Sequence, residues 1–173
     1  GENLKNELTS AWFHGRFWHN HRENLVLRDF LSPHHARGLT HPGTRDVMLT
    51  EAEIEFELSA ASLAGGAMLM SDPMADFIRS RSRLNYLHQI LPQFPLYGRP
   101  VATFQGKGNP TAWYATIERA FETWQVLGVF NETDLYLNQE VPLAFTGGGI
   151  WHAFEFWRGE YYGAFTDHLQ VAA

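Results

Sequence analysis

Glu23 and Asp72 are the first residues to weigh, because two carboxyl groups held on one rim can share acid, base and nucleophilic work. Cleavage of a glycosidic bond needs such a pair, about 5 Å apart when configuration is retained and about 6.5–9.5 Å apart when it is inverted. Each acid also has a plainer reading. Asp72 stands directly before Pro73, where an acid caps a helix and proline fills its first turn. Glu23 reads equally as a solvated loop acid. Trp18 offers either a flat apolar face on which the C–H bonds of a pyranose pack, or filling for a core. Asn20 offers either an amide for a sugar hydroxyl or a cap for its own loop backbone.

Six of the nine histidines precede residue 42: His14, His19, His21, His34, His35 and His41. His19 and His21 fall on one face of an extended segment, with Glu23 two residues on, and form a candidate metal triad. Zinc, copper and nickel take imidazole, but a site needs three or four convergent ligands. His-rich stretches in loops are ordinarily polar surface, so no metal or other cofactor is expected.

The elements that must position these residues follow from periodicity and punctuation. Short apolar runs at Arg16–His19 and Asn24–Arg28 predict strands. From Phe30 to about Met48 runs a Gly-, Pro- and His-rich loop, long for a structureless connection and of the kind that carries function. Thr50-Glu-Ala-Glu53 is a capping box that opens a helix, with Ile54, Leu58, Ala61 and Leu63 as its buried stripe. Gly65-Gly66 ends it, and Ala67–Met70 is a short buried strand. A further helix starts at Asp72-Pro73, lined by Phe77, Leu84, Leu87 and Leu91. Strand, helix, strand, helix is the order of a parallel sheet or barrel. Glu23 and Asp72 are then expected at the C-terminal ends of adjacent strands, where barrel sites form.

After Pro92–Pro95 the character changes. Ala112–Glu118, Thr123–Phe130 and Trp151–Trp157 are aromatic and β-branched, separated by turn residues at Asn131–Asp134, Gly147–Gly149 and Arg158–Gly159. A small antiparallel sandwich is expected, with Gly147–Gly149 as a hairpin turn and Trp113, Trp124, Trp151 and Trp157 packed in the core. Gly147–Gly149 lacks the lysine of a phosphate-binding loop. Asn131-Glu-Thr133 matches a glycosylation acceptor, which matters only on a secretory route.

A net charge of −6 argues against a nucleic-acid partner, which demands a basic face. The chain contains no run of about 18 apolar residues, so no membrane span is expected. It has no cysteine, which excludes thiolate chemistry and fits a reducing, cytoplasmic compartment. Apolar content is high enough for a buried core.

Two stretches resemble the melibiase-type α-galactosidases, glycoside hydrolase family 36 and its relatives. The first is Phe17-Trp-His-Asn-His-Arg-Glu-Asn-Leu-Val-Leu-Arg28, against a family pattern of Trp, any residue, Asn, Asp, Pro, Asp and an apolar strand. The second runs from Leu49–Glu53 through Leu63–Gly66 to Met68–Asp72, like the family's seventh helix, glycine pair and eighth strand. Leu127–Asn131 and Phe154–Tyr161 resemble parts of its C-terminal β-domain. The departures are His21 for the first Asp, Arg22 for the Pro and Glu23 for the last Asp.

The resemblance implies that residues 1–94 are the last strand–helix units of a (β/α)8 barrel, and 95–173 a truncated antiparallel β-sandwich domain. The implied activity is retaining hydrolysis of α-galactosides. Trp18, Asn20, His21, Glu23 and Asp72 would be sugar-binding positions, while the nucleophile and the acid/base lie upstream. The implied partners are an oligosaccharide or galactoside and the upstream part of the barrel or a second copy. The competing readings are a non-catalytic carbohydrate-binding or structural module and a His-rich metal-binding protein.

Overall fold

The computed structural model describes residues 6, 8–30, 48–78, 80–93, 97–102 and 110–172. Much of the Phe30–Met48 loop, including His34, His35 and His41, lies outside the described residues.

Strand β1 (His21–Leu25) and strand β2 (Ala67–Met70) pair in parallel, with His21 opposite Ala67 and Leu25 opposite Met70. Parallel neighbours need a crossover connection, and helix α1 (Glu51–Ala64) lies between them in the chain. Its start is the expected capping box. The Thr50 hydroxyl accepts from the Glu53 N–H, and the Glu53 carboxylate accepts from the Thr50 N–H at 2.8 Å. The Thr50 N–H, and then the Thr50 hydroxyl, both donating to the Glu53 carboxylate, hold it below its usual pKa. Gly65 at φ +74° then turns the chain out of the helix.

Helix α1 buries two faces. Ile54 and Leu58 join Leu25, Leu27, Phe77 and Leu87 in one core. Ala60, Leu63 and Ala64 join Leu8, Trp113, Ala115 and Phe130 in another. A fully buried Leu or Ile contributes about 1.5–3 kcal/mol, so this helix ties the parallel pair to the β-rich half. Gly128 permits that contact, since a Cβ there would sit 2.4 Å from a Leu63 methyl.

Several local expectations need correction, among them the burial of Ala67–Met70, where Leu69 is exposed. Arg16–His19 is not a strand. The Gly15 N–H donates to the Trp18 carbonyl, Gly15 takes φ +70°, and the chain turns before β1 begins at His21. The helix expected after Asp72 is two helices, α2 (Met74–Phe77) and α3 (Arg81–Ile90). Phe77 is fully buried at the end of α2, while Leu91 caps α3 and is exposed.

The C-terminal half is antiparallel throughout. Strands β3 (Arg99–Pro100), β4 (Ala112–Glu118) and β5 (Thr123–Val129) form one sheet. Strand β6 (Asn138–Pro142) pairs with β9 (His168–Ala172), and β7 (Trp151–Glu155) pairs with β8 (Glu160–Phe165). Trp113 is core, as expected, while Trp124, Trp151 and Trp157 are half-buried. Gly147–Gly149 is not a hairpin turn. It links β6 to β7, which pair with different strands, and its φ values are all positive. The architecture is thus mixed helix and sheet with a β-rich C-terminal region. Among the described residues β1 and β2 form a sheet of two strands, and no helix is long and apolar enough to cross a membrane.

Candidate functional site

The N-terminal end of the parallel pair gathers Trp18, Asn20 and His21 around one hub. The Asn20 amide nitrogen donates toward the Ser10 and Ala64 carbonyls, at 3.5 and 3.4 Å. Its side-chain oxygen accepts from the Trp18 indole at 2.7 Å. Its backbone N–H donates to His14 Nδ1 at 2.9 Å, and its carbonyl accepts from the Ala67 N–H. Of its two sequence readings, this geometry is the structural one, because its polar groups are engaged within the chain.

Trp18 is 51% exposed, so of its two readings it does not fill a core. One face stacks on Phe13 at 4.5 Å, and Trp12 and Phe17 extend the cluster. The rings stand out because the turn at Gly15–Phe17 carries them beyond the end of β1. His21 is exposed on β1.

Asp72 is at the other end. It lies just past β2, its side chain fully enclosed. Its carboxylate accepts from the Leu27 N–H at 2.7 Å and from the Arg28 guanidinium at 3.0 Å. It caps no helix; it ties the chain leaving β1 to the end of β2. Glu23 lies inside β1, not at its C-terminal end. The register places Asp72 level with residue 27, so the two backbones are on the order of 13 Å apart at ~3.3 Å per residue. The Asp72 carboxylate is engaged by Arg28 and Leu27.

His14 and His19 meet edge to face at 5.3 Å. Among the described residues no group of three or more His, Asp or Glu is placed to hold a metal ion. Burial, then the neighbouring His19, lowers the His14 pKa below 6.5. Its Nδ1 must stay unprotonated to accept from Asn20. The unfolded chain therefore takes up the proton first, and this contribution to stability falls as pH drops from about 6.5 through the lower folded value. Melting is expected to decline as pH falls below about 6.5, and less steeply in His14→Gln, as thermal scans will show.

Sequence reasoning missed a second titratable cluster. The Tyr86 hydroxyl donates toward Glu55 at 3.4 Å, and burial, then Glu155, pushes the Glu55 pKa up. Beside them the Trp157 indole donates to Ser59, and Tyr86 packs edge-on to Trp157, docking the β7–β8 hairpin onto α1 and α3. The signal available was the spacing of Glu55 and Ser59 on α1, four residues apart on one helix face. Similarly, Asn131 is held in a turn: its side-chain oxygen accepts from Thr133, and its amide donates to the Leu135 carbonyl.

No family model matches this chain, and neither a curated protein nor a solved structure matches it.

Proposed function

We propose that this chain forms the closing part of a melibiase-like glycoside hydrolase, acting on α-galactosides with retention. In this reading residues 1–94 are the last units of a (β/α)8 barrel and residues 95–173 belong to its β-sandwich. The observation that carries it is the parallel β1–α1–β2 unit, followed by helices and then antiparallel strands alone. Purely parallel pairing is a property of larger sheets covered on both faces, and a two-stranded example calls for further strands at its edges. The chain's role is to bind sugar through Trp18, His21 and Glu23, with Asn20 bracing that segment from within the chain. Asp72 holds the strand ends in place instead. A carboxylate upstream attacks the anomeric carbon, a second carboxyl protonates the leaving oxygen and then activates water, and no cofactor is needed.

The test is hydrolysis of an aryl α-galactoside by the polypeptide that contains this chain. Glu23→Gln should raise KM roughly tenfold and change kcat less, since a tenfold loss of binding is about 1.4 kcal/mol. Absence of hydrolysis, or identical kinetics in the variant, overturns the reading. A second reading, a non-catalytic carbohydrate-binding module, is favoured by the aromatic outer face of the β7–β8 hairpin. It requires no carboxylate pair and predicts sugar binding that survives Glu23→Gln.

A further inference from the structure

A solvated strand face normally carries polar side chains. Strand β7 and the turn after it do the opposite. Trp151, Ala153, Glu155 and Trp157 are half-buried, and the alternate positions His152, Phe154 and Phe156 are exposed. Directly across from Phe154 on β8 stands Tyr161. Phe154 is 67% exposed and Tyr161 56%, with ring centroids 5.2 Å apart. The His152 ring lies 29° from the plane of Tyr161, and its Nδ1 is 2.9 Å from the Tyr161 hydroxyl. That bond fixes both rings before any ligand arrives, which lowers the entropy cost of binding.

We infer that His152, Phe154 and Tyr161 form a stacking platform for a neutral carbohydrate. Charge decides among the ligands that stack on aromatic rings. Nucleic acid needs cations along its backbone, and an anionic lipid surface needs them too. Neither β7 nor β8 contains Lys or Arg, and the single Arg158 in the turn between them stands between Glu155 and Glu160. A sugar meets both halves of the chemistry: its C–H face packs on Phe154 and Tyr161, and its hydroxyls reach the phenol and imidazole at the ring edges. The hairpin sits on α1 and α3 through Trp157, whose indole donates to Ser59, so the platform is held on helices and not on a free loop. The inference deepens the carbohydrate-binding reading and does not depend on the hydrolase.

Affinity electrophoresis of the full chain through gels containing galactomannan, glucomannan or amylopectin tests it. Retardation by at least one of these neutral polysaccharides is expected. Phe154→Ala and Tyr161→Ala should each weaken it about tenfold, and Tyr161→Phe should keep most of it, because the ring is retained. Circular dichroism of the variants should match the parent, since both side chains are exposed. No retardation on any of the three, or equal retardation in the alanine variants, overturns the platform. So does a concentration-dependent dimer in sedimentation that Phe154→Ala abolishes, which would assign the face to a second copy. Aryl α-galactoside hydrolysis by the polypeptide that contains this chain, carrying the same substitutions, separates the two proposals. Activity with unaffected retardation sinks only the platform, and platform-dependent retardation without activity sinks only the hydrolase.

Discussion

Asp72→Ala is expected to cost about 3–5 kcal/mol of folding stability, the range for removing one partner of a buried ion pair. The Asp72 side chain is fully enclosed and that of Arg28 is only 11% exposed. Alanine removes the acceptor of the buried Leu27 N–H and takes this carboxylate from the guanidinium together. Asp72→Asn keeps an acceptor for Leu27 but presents no charge to Arg28, so it should recover only part of the loss. Replacing both partners, Arg28→Met with Asp72→Leu, removes the charge and its counter-charge together and should be milder than Asp72→Ala alone. Urea unfolding of the three variants measures this. A loss under about 1 kcal/mol in Asp72→Ala would mean that the carboxylate is surface-like and the strand ends are held by something else.

Gly66→Ala should be comparably damaging, at about 3–5 kcal/mol, from steric overlap and backbone strain together. A Cβ at residue 66 would lie 1.7 Å from the Asn20 carbonyl oxygen, and backbone cannot swing aside as a side chain can. Residue 66 also sits at φ +87°, a conformation that costs an L-residue energy. The same carbonyl accepts the Ala67 N–H, so pushing it away opens the first rung between β1 and β2. Gly147→Ala is the control: its φ is also positive but nothing lies within 4 Å of an added Cβ, so only the backbone strain remains. Thermal melting should place Gly66→Ala far below Gly147→Ala.

What was legible in the sequence was local. The capping box at Thr50–Glu53 depends on residues three apart, and it forms as written. Gly65-Gly66 stops α1 because glycine alone tolerates those φ values without strain. Ala112–Glu118 read as a strand from its aromatic and β-branched residues, with Trp113 in the core; the strand occupies those very residues, and its alternation buries Trp113, Ala115 and Ile117. Strands β6, β8 and β9 were not foreseen: Asn138–Pro142 is mostly polar, and the alternation of Leu169 and Val171 in His168–Ala172 and the aromatics of Glu160–Phe165 span runs of only five or six residues.

The candidate site was legible only as a set of residue types. Asp72 before Pro73 has the local form of a helix cap, yet its partners, Leu27 and Arg28, lie more than forty residues away in sequence. An ion pair in a dry interior outweighs a cap at a short helix, and only the folded chain brings Arg28 there. Whether Trp18 fills a core or offers a free face was undecided by alternation, and the turn at Gly15 carries it outside. Asn20 became a hub because Ala64 and Ala67, at the end of α1 and the start of β2, arrive beside it. The aromatic row of β7 was visible as composition; that it faces solvent follows from Trp157 docking the opposite face onto α1 and α3. Helix ends and tight turns are set by neighbours in the chain, and the sequence alone determined them. Which polar group is buried, and which ring is left in water, depends on packing between distant segments, and tertiary structure decided it.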